Sequence, residues 1–362
     1  MDAGNALRAG ARRIMAGLAL ALLAWPLFVA VPASAQQSDQ AIRVSVDRVS
    51  ASITVTDARG NFVEGLRRED FHVFDDAVEQ PITDFAAIEE PAQVLLMVEA
   101  GPAVYFLEGS HLQAARALLD GLSPGDRVAV VKYDEGAEGV LDFTADKGEA
   151  EAALTMVRFN LGFGMLILSS SVSTVLDWLA KIQGKKTMVL LSTGVDTSPT
   201  EAARVLLDRA ATADVRILAV SLSAEIRSGA EVSGSKFDKK KVAADKSAAT
   251  AQEFAKADHL LTAVTEAAGG RVYFPKNAQD FSDAYTEIAQ LVRHEYSLAF
   301  APPRADGKVH SIEVRIGGVA TSAIAKAAGS EAASGSSEPS PAETKGYRVD
   351  YRRAYLAPGD VH

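Results

Sequence analysis

Four short, unbroken apolar runs recur along the middle of the chain, and they constrain its fold more than any other feature. They are Val94–Val98, Val128–Val131, Met188–Leu191 and Ile217–Val220. Unbroken rather than alternating apolar residues are typical of strands in a parallel sheet that is covered on both faces. Segments with helical spacing lie between the runs. The order therefore predicts an α/β fold with a doubly wound, mostly parallel sheet and right-handed crossovers.

The helical segments carry start and stop signals. His111–Leu122 and Ser171–Ile182 each place apolar residues on one helical face. Ser198, followed by Pro199 and Glu201, predicts a capping box at the start of the next helix. Further along the chain, the pattern predicts a helix at Asp258–Ala268 that stops at Gly269-Gly270, a strand at Arg271–Phe274 and a helix at Ala278–Val292.

Shorter strands with alternating apolar and polar residues flank this region on both sides, at Ile42–Ile88 and Glu295–Leu356. Alternation predicts antiparallel strands that bury one face. We expect the two segments to form one small β unit beside the α/β domain. The predicted divisions are a signal peptide at 1–35, an N-terminal β segment at 36–90, the α/β domain at 91–293 with a surface excursion at 228–250, and a C-terminal β segment at 294–357 with a disordered loop at about 318–345.

The N-terminus has the three parts of a secretory signal. Arg8, Arg12 and Arg13 precede the apolar run Ile14–Val31, and Ala33-Ser34-Ala35 matches the pattern that signal peptidase cleaves. We expect an exported protein, periplasmic or extracellular. A retained membrane anchor is the alternative, although the run is short for a bilayer and contains prolines.

Composition narrows the chemistry further. The chain has no cysteine, which excludes disulfides, thiolate metal sites and cysteine nucleophiles. Its formal net charge is −10, and the sequence lacks extended basic clusters. This balance argues against nucleic acid and against anionic membranes as partners. We expect a protein partner, and no membrane insertion after the signal is cleaved.

Three segments, in this order, resemble the exported bacterial proteins with von Willebrand factor A-related domains. The first, from Asp57 to Phe85, is similar to a D..G..V.GL...DF.V..D....I..F frame, with one additional residue before Ile82. The second is Leu261–Pro275, and the third extends from Glu295 to Tyr347. The resemblance covers nearly all of the chain beyond the signal. It implies a von Willebrand factor A, or Rossmann-like, fold with a ligand site above the carboxyl ends of the parallel strands.

The resemblance also implies a metal-ion-dependent adhesion site, with a D-x-S-x-S loop, a threonine loop and a later aspartate loop. Here the first loop contains Glu99 and Gly101 without a hydroxyl, the second loop has Met165 near the ligand position, and Thr193 replaces the late aspartate. Mg²⁺ requires a nearly octahedral set of oxygen ligands. We therefore expect a degenerate site that binds no metal and no other cofactor. The alternative is a rearranged metal-dependent adhesion site that uses Glu99 and Asp196.

The same loops carry apolar bulk, which predicts either a protein-binding face or simple packing at the end of the sheet. Under the binding hypothesis, the candidate ligand-face residues are Glu99, Gly101, Pro102, Tyr105, Met165, Thr193 and Asp196.

Catalytic motifs are absent from the sequence. It contains no Walker A loop, no G-x-S-x-G elbow and no H-E-x-x-H or H-x-x-x-H pair. The six histidines are each expected at the surface, and Asp75-Asp76 is interpreted as a solvated turn without calcium. We therefore predict a non-enzymatic interaction protein of the adhesion type.

Overall fold

The structure is a computed structural model that describes residues 48–88, 91–101, 104, 108–160, 165–224, 226, 242–317 and 347–358. The chain divides into the units 1–45 and 46–362, and all described residues lie in the second unit. The predicted signal peptide and the predicted disordered loop therefore lie outside the described residues, as does most of the excursion at 228–250. Within the described ranges, no helix combines the length and the apolarity that a membrane span requires.

A six-stranded sheet forms the centre of the α/β domain. Its strands are β5 (Ala92–Glu99), β6 (Arg127–Tyr133), β7 (Ala137–Thr144), β8 (Lys185–Ser192), β9 (Arg216–Ser221) and β10 (Val272–Tyr273). The spatial order is β10-β9-β8-β5-β6-β7. All neighbours are parallel except β6 and β7, which are antiparallel. The sheet is thus doubly wound and mostly parallel, as the apolar runs predict.

The apolar runs are unbroken because successive side chains enter two different cores. On β5, Val94, Leu96 and Val98 lie in one buried cluster, whereas Leu95 and Met97 lie in the other. Helices cover both faces: α1 (Glu108–Gly121), α2 (Lys147–Thr155), α3 (Leu168–Leu179), α4 (Thr200–Thr212), α5 (Val242–Ala267) and α6 (Ala278–Arg293). Burial on both sides leaves no place for the polar alternation of a half-exposed strand.

Two antiparallel sheets accompany this domain. They are built from β1 (Val49–Asp57), β2 (Phe71–Asp75), β3 (Val78–Gln80), β4 (Ile82–Ile88), β11 (Glu295–Phe300), β12 (Val309–Ile316), β13 (Tyr347–Tyr351) and β14 (Ala354–Leu356). The strand orders are β13-β1-β11-β4 and β14-β12-β2-β3. Strands of the N-terminal and C-terminal segments alternate in the first sheet, where Ile53 pairs with Tyr296 on one side and with Tyr351 on the other. In the second sheet the two segments meet once, where β12 pairs with β2.

Tyr296 lies at the centre of the core that these two sheets share. Its ring lies 5.3 to 5.8 Å from the rings of Phe62, Phe71 and Phe85. Its hydroxyl donates to the Val63 carbonyl at 2.7 Å and accepts from the Leu66 amide at 3.1 Å. Tyr296, from the C-terminal segment, thereby fixes the irregular stretch that follows β1 in the N-terminal segment. Ring packing and hydrogen bonds both join the two segments.

Three local features differ from the sequence prediction. The capping box at Ser198 is wrong: α4 has Pro199 at its N-cap without a side-chain cap bond, and the Ser198 amide instead donates to Asp196. The helix expected at Asp258 begins earlier, at Val242. The strand β7 and the helix α2 have no counterpart in the prediction. The strand β7 lies at the edge of the sheet, and only its Phe143 is buried, so its sequence contains no long apolar run.

The Gly269-Gly270 pair ends α5 and lets the backbone pass very close to its neighbours. Gly269 has a φ of +71°, and a Cβ at Gly270 would lie 1.9 Å from the Ile217 carbonyl oxygen. No side chain fits at that distance from a backbone atom. Two glycines are therefore required in the short connection from α5 to β10, because Gly269 adopts a positive φ and a larger residue at Gly270 would clash with the backbone of β9.

Lys185 is buried where β8 begins, beside β11. Its side chain is 5% exposed, and Nζ lies 3.4 Å from Glu295 Oε2, which also binds Arg216 at 2.9 Å. Burial lowers the pKa of Lys185 to about 8, and the positive charge of Arg216 adds to this effect while Glu295 opposes it. The charged ammonium thus costs more in the folded chain than in the unfolded chain.

We expect stability to depend on pH through this lysine. The folded pKa of about 8 lies below the unfolded value of about 10.4, so the unfolded chain binds more protons between these values. The contribution of Lys185 should therefore increase the free energy of unfolding as pH rises from 8 to 10.5. Below pH 8 this increase is absent, because the lysine is charged in both states. Lys185→Met should raise the free energy of unfolding by about 2 kcal/mol at pH 7 and flatten this dependence. Urea unfolding from pH 7 to 10 measures both effects.

The matched control is Lys181→Met, because Lys181 is an exposed lysine near the same edge of the sheet. It should leave the pH profile unchanged. A Lys185→Met profile that parallels the wild type would contradict the assignment.

Candidate functional site

The strand order reverses direction between β5 and β8, and the crevice at this switch point is where open α/β sheets bind ligands. Glu99 ends β5 and Ser192 ends β8. The loops above them are joined by backbone bonds: the Asn160 amide donates to the Ala100 carbonyl at 2.8 Å, and the Thr197 amide donates to the Leu166 carbonyl at 2.8 Å. The candidate site is therefore one continuous surface built from the loops that follow β5, α2 and β8.

Glu99 lies beneath this surface with no solvent exposure. Its Oε2 accepts from the Thr193 amide at 2.7 Å, from Thr193 Oγ1 at 2.8 Å, from Tyr133 Oη at 3.0 Å and from Ser192 Oγ at 3.2 Å. The Tyr133 and Ser192 hydroxyls are 2.6 Å apart, so one of them donates to the other. Glu99 Oε2 therefore accepts at least three hydrogen bonds from the chain itself.

The second oxygen of Glu99, Oε1, is buried and finds no donor among the described residues. It lies 3.3 Å from the point that a Cβ on Gly101 would occupy. Burial raises the pKa of Glu99, although the bonds from Thr193, Tyr133 and Ser192 oppose the increase. Burial likewise raises the pKa of Tyr133, and the adjacent Glu99 adds to that effect. Burial thus disfavours the charged form of both groups.

The other acid of the site, Asp196, is half-buried and bonds to the start of α3. Its Oδ1 accepts from the Leu168 amide at 3.1 Å and from the Ser198 amide at 3.0 Å. Its Oδ2 accepts from the Ser169 amide at 3.3 Å and from the Ser169 hydroxyl. The N-cap residue of α3 makes no side-chain cap bond, so Asp196 supplies the acceptor that the helix N-terminus lacks.

The two carboxylates do not fit a resident magnesium ion. Mg²⁺ binds six oxygens in nearly ideal octahedral geometry and loses its waters reluctantly. Three of the four carboxylate oxygens of Glu99 and Asp196 already accept two or more hydrogen bonds from the chain. The fourth, Glu99 Oε1, is fully buried. Binding a cation here would require several of these bonds to break.

The predicted ligand-face residues differ in their access to solvent. Glu99, Gly101 and Thr193 are buried, Asp196 is half-buried, and Met165 is exposed over 54% of its surface. Pro102 and Tyr105 lie outside the described residues. The buried members therefore support the surface from below, and Met165 is available for contact.

Sequence reasoning missed Tyr133 and Ser192, which share the network around Glu99 with the predicted Thr193. Each ends an apolar run at the carboxyl edge of the sheet, which is the one signal that could have identified them. It also misplaced a second polar cluster. Asp75 and His310, expected in solvent, are each only 2% exposed, because they lie on paired strands of the β unit.

No family model and no curated protein match the sequence. Among solved structures, the chain is similar to a von Willebrand factor type A protein from Catenulispora acidiphila, at 12% identity and a TM-score of 0.39, over 87% of this chain and 74% of the other. It is also similar to BatB from Bacteroides thetaiotaomicron, at 13% identity and a TM-score of 0.36, over 56% and 98% of the two chains. A third similarity is to the proximal thread matrix protein 1 of the mussel byssus, at 12% identity and a TM-score of 0.41.

That third alignment covers 60% of this chain and about half, 51%, of the mussel protein. All three TM-scores are below 0.5. The strand order and registers of this chain define its fold.

Proposed function

We propose that this chain is an exported, non-enzymatic interaction module. Its α/β domain would bind a protein partner on the surface above the carboxyl ends of the parallel strands, without a metal ion. Export is proposed from the N-terminal sequence. The alternative is a metal-dependent site with Glu99 and Asp196 as ligands, and its response to EDTA distinguishes it from the metal-free surface.

One observation carries the metal-free assignment: the chain's own donors occupy the carboxylates of the site. Glu99 Oε2 accepts from Thr193, Tyr133 and Ser192, and both oxygens of Asp196 accept from the start of α3 or from Ser198. Such a network performs the structural task that a metal would perform, since it ties the loops after β5, β6 and β8 together. A partner can then bind to a surface that is already organised.

Exposed methionines support the choice of a protein partner. Met165 is 54% exposed on the loop before α3, and Met156, at the C-cap of α2, is 67% exposed. Both belong to the segment from α2 to α3, which crosses this edge of the sheet. Methionine is flexible and polarizable, and it suits surfaces that contact other proteins. Exposed apolar residues beside the switch point thus favour a protein interface.

The burial of the polar groups supports a non-enzymatic role. Ser192, Tyr133 and Glu99 resemble a hydroxyl nucleophile with partner groups, yet each has no solvent exposure. A catalytic group must reach the reacting atoms of a substrate. Their hydrogen bonds go to one another, to Thr193 and to the Gly194 amide, so we assign them a structural task.

Photocrosslinking tests the proposed surface directly. A photoreactive amino acid at position 165 of the full chain, expressed in its native host, should form one covalent adduct with a protein partner. EDTA should leave the yield unchanged, because the proposed interface needs no metal. Immunoblotting and mass spectrometry measure the adduct.

The control position is Gln183, which is exposed at the opposite, amino edge of the sheet. It should give no adduct, and Met165→Asp in unlabelled protein should fail to compete with the labelled chain. Equal adducts at 165 and 183, or none at 165, would contradict the proposed surface. An adduct at 165 that EDTA abolishes would favour the metal-dependent alternative.

A further inference from the structure

His310 lies buried among three aspartates in the sheet β14-β12-β2-β3. Its Nε2 is 3.1 Å from Asp306 Oδ1. Its Nδ1 is 3.0 Å from Asp76 Oδ2 and 3.3 Å from Asp75 Oδ1. The Tyr355 ring stacks on the imidazole at 5.5 Å and covers it. One histidine thus faces carboxylates through both ring nitrogens.

The two contacts of Nδ1 are short, but neither has the geometry of a hydrogen bond. Among the residues that the structure describes, His310 Nδ1 and Asp75 Oδ1 have no hydrogen-bond partner. Both side chains are about 98% buried, since each is only 2% exposed. Buried polar atoms of this kind are rare and require an explanation. Here the unpartnered nitrogen and the unpartnered oxygen face each other, and the buried Tyr355 hydroxyl beside Asp75 is a third atom without a partner among the described residues.

Hydrogen bonds orient the other atoms of the cluster so that His310 Nδ1 faces Asp75 Oδ1 and Asp76 Oδ2. Asp76 Oδ1 accepts from the Ser311 amide at 3.0 Å and from the Ser311 hydroxyl at 3.1 Å, which leaves Oδ2 toward His310. Asp306 Oδ1 accepts from the Lys308 amide at 3.0 Å and lies against His310 Nε2. A carboxylate that takes the proton of one imidazole nitrogen fixes the tautomer and directs the other lone pair at a ligand.

We propose that Asp75, Asp76 and His310 form a binding site for one divalent cation, Zn²⁺ or Mn²⁺. Their three ligand atoms lie within 4.8 Å of one another. Ligands at about 2.0–2.2 Å from an ion lie about 3.0–3.5 Å apart, as the two Nδ1 contacts do. A mixed nitrogen and oxygen set favours these ions over Mg²⁺ or Ca²⁺, which prefer oxygen alone. Asp306 acts as the positioning residue.

The ion would connect the N-terminal β segment with the C-terminal β segment. Asp75 ends β2, whereas His310 lies on β12, and the register pairs Asp75 with Ile312. A cation held by both strands stabilises the folded state because the unfolded chain cannot assemble the site. The chain has no cysteine, so a disulfide cannot serve this purpose. We therefore assign the site a structural task, separate from the surface above β5 and β8.

Calorimetric titration of the EDTA-treated, tag-free full chain with ZnCl₂ and with MnCl₂ tests the site. We expect one equivalent of Zn²⁺ or Mn²⁺ and a rise in Tm upon binding. Asp76→Asn keeps the Ser311 bonds and removes the ligand charge, and it should weaken binding at least tenfold. Asp306→Asn should weaken binding about 10- to 100-fold, since it acts through the orientation of His310.

Glu79→Gln is the matched control. Glu79 bonds to His72 Nδ1 at 2.6 Å in the same sheet, but it belongs to no three-residue cluster of metal-ligand side chains within the described part of the chain. It should bind the ions as the wild type does. Circular dichroism in EDTA verifies that each variant is folded. The absence of binding by the wild type would mean that His310 is an imidazolium held by three aspartates, and the proposal would be wrong. Unchanged binding in both Asp76→Asn and Asp306→Asn would also overturn it.

Discussion

Glu99→Ala should lower the free energy of unfolding by about 3–5 kcal/mol, whereas Glu99→Gln should lower it by about 1 kcal/mol or less. Alanine leaves Tyr133 Oη and the Thr193 amide and hydroxyl without their acceptor, in a place with no access to water. It also leaves a cavity. Glutamine keeps an oxygen for these donors and removes the charge.

The pH dependence distinguishes the two variants further. Burial holds the folded pKa of Glu99 above its unfolded value, so the stability due to the protonated form is lost as pH rises through the folded pKa. A glutamine at position 99 does not ionise, so the Glu99→Gln variant does not lose this stability. The variant should therefore gain on the wild type as pH rises above about 4.3, the ordinary value for a glutamate.

Guanidinium unfolding of the three proteins, with and without EDTA, measures these differences. EDTA should leave the gap between Glu99→Gln and the wild type unchanged, because the role of Glu99 is a hydrogen-bond acceptor. Equal losses in the alanine and glutamine variants would contradict this role, since only a required charge would make them equivalent.

Arg271→Met should lower the free energy of unfolding by about 3 kcal/mol. Arg271 precedes β10, and its guanidinium binds Asp350 on β13, Thr56 on β1 and Glu287 on α6. Asp350 is 7% exposed. Removing the arginine leaves that carboxylate buried without its main countercharge, and it breaks the polar contact between the α/β domain and the sheet β13-β1-β11-β4.

The control is Arg348→Met, because Arg348 Nε donates to the other Asp350 oxygen at 2.7 Å and its side chain is 48% exposed. It should cost less than about 1 kcal/mol. Adding Asp350→Asn to Arg271→Met should recover part of the loss, which a double-mutant cycle measures. An Arg271→Met loss no larger than that of Arg348→Met would contradict the account of this contact.

The central sheet could be predicted because its strands are buried on both faces. Val94, Leu96 and Val98 enter one core while Leu95 and Met97 enter the other, and this arrangement leaves an unbroken apolar run in the sequence. The edge strand β7 leaves no such run, since it has one neighbour in the sheet and only its Phe143 is buried. Its position depends on pairing with β6, which local pattern does not encode.

The polar groups were harder to predict because their partners are distant in sequence. Asp306 is only four positions from His310, but Asp75 and Asp76 are more than 230 positions away, so the local sequence does not indicate the cluster. Glu99 was predicted at the site, but its burial was not, since a glutamate is seldom fully buried without partners. Tyr133 and Ser192 supply those partners from two other strands. The Ser198 capping box failed because Asp196 takes the Ser198 amide and places Pro199 at the N-cap.

Anomalous diffraction from crystals of the full chain soaked in MnCl₂ tests the central claim most directly, because it locates each bound ion. We predict no manganese peak within bonding distance of Glu99 or Asp196, since donors of the chain occupy those carboxylates. A peak that the Glu99 and Asp196 carboxylates share, with the Thr193 and Ser169 bonds broken, would contradict the metal-free surface and establish the rearranged adhesion site in its place.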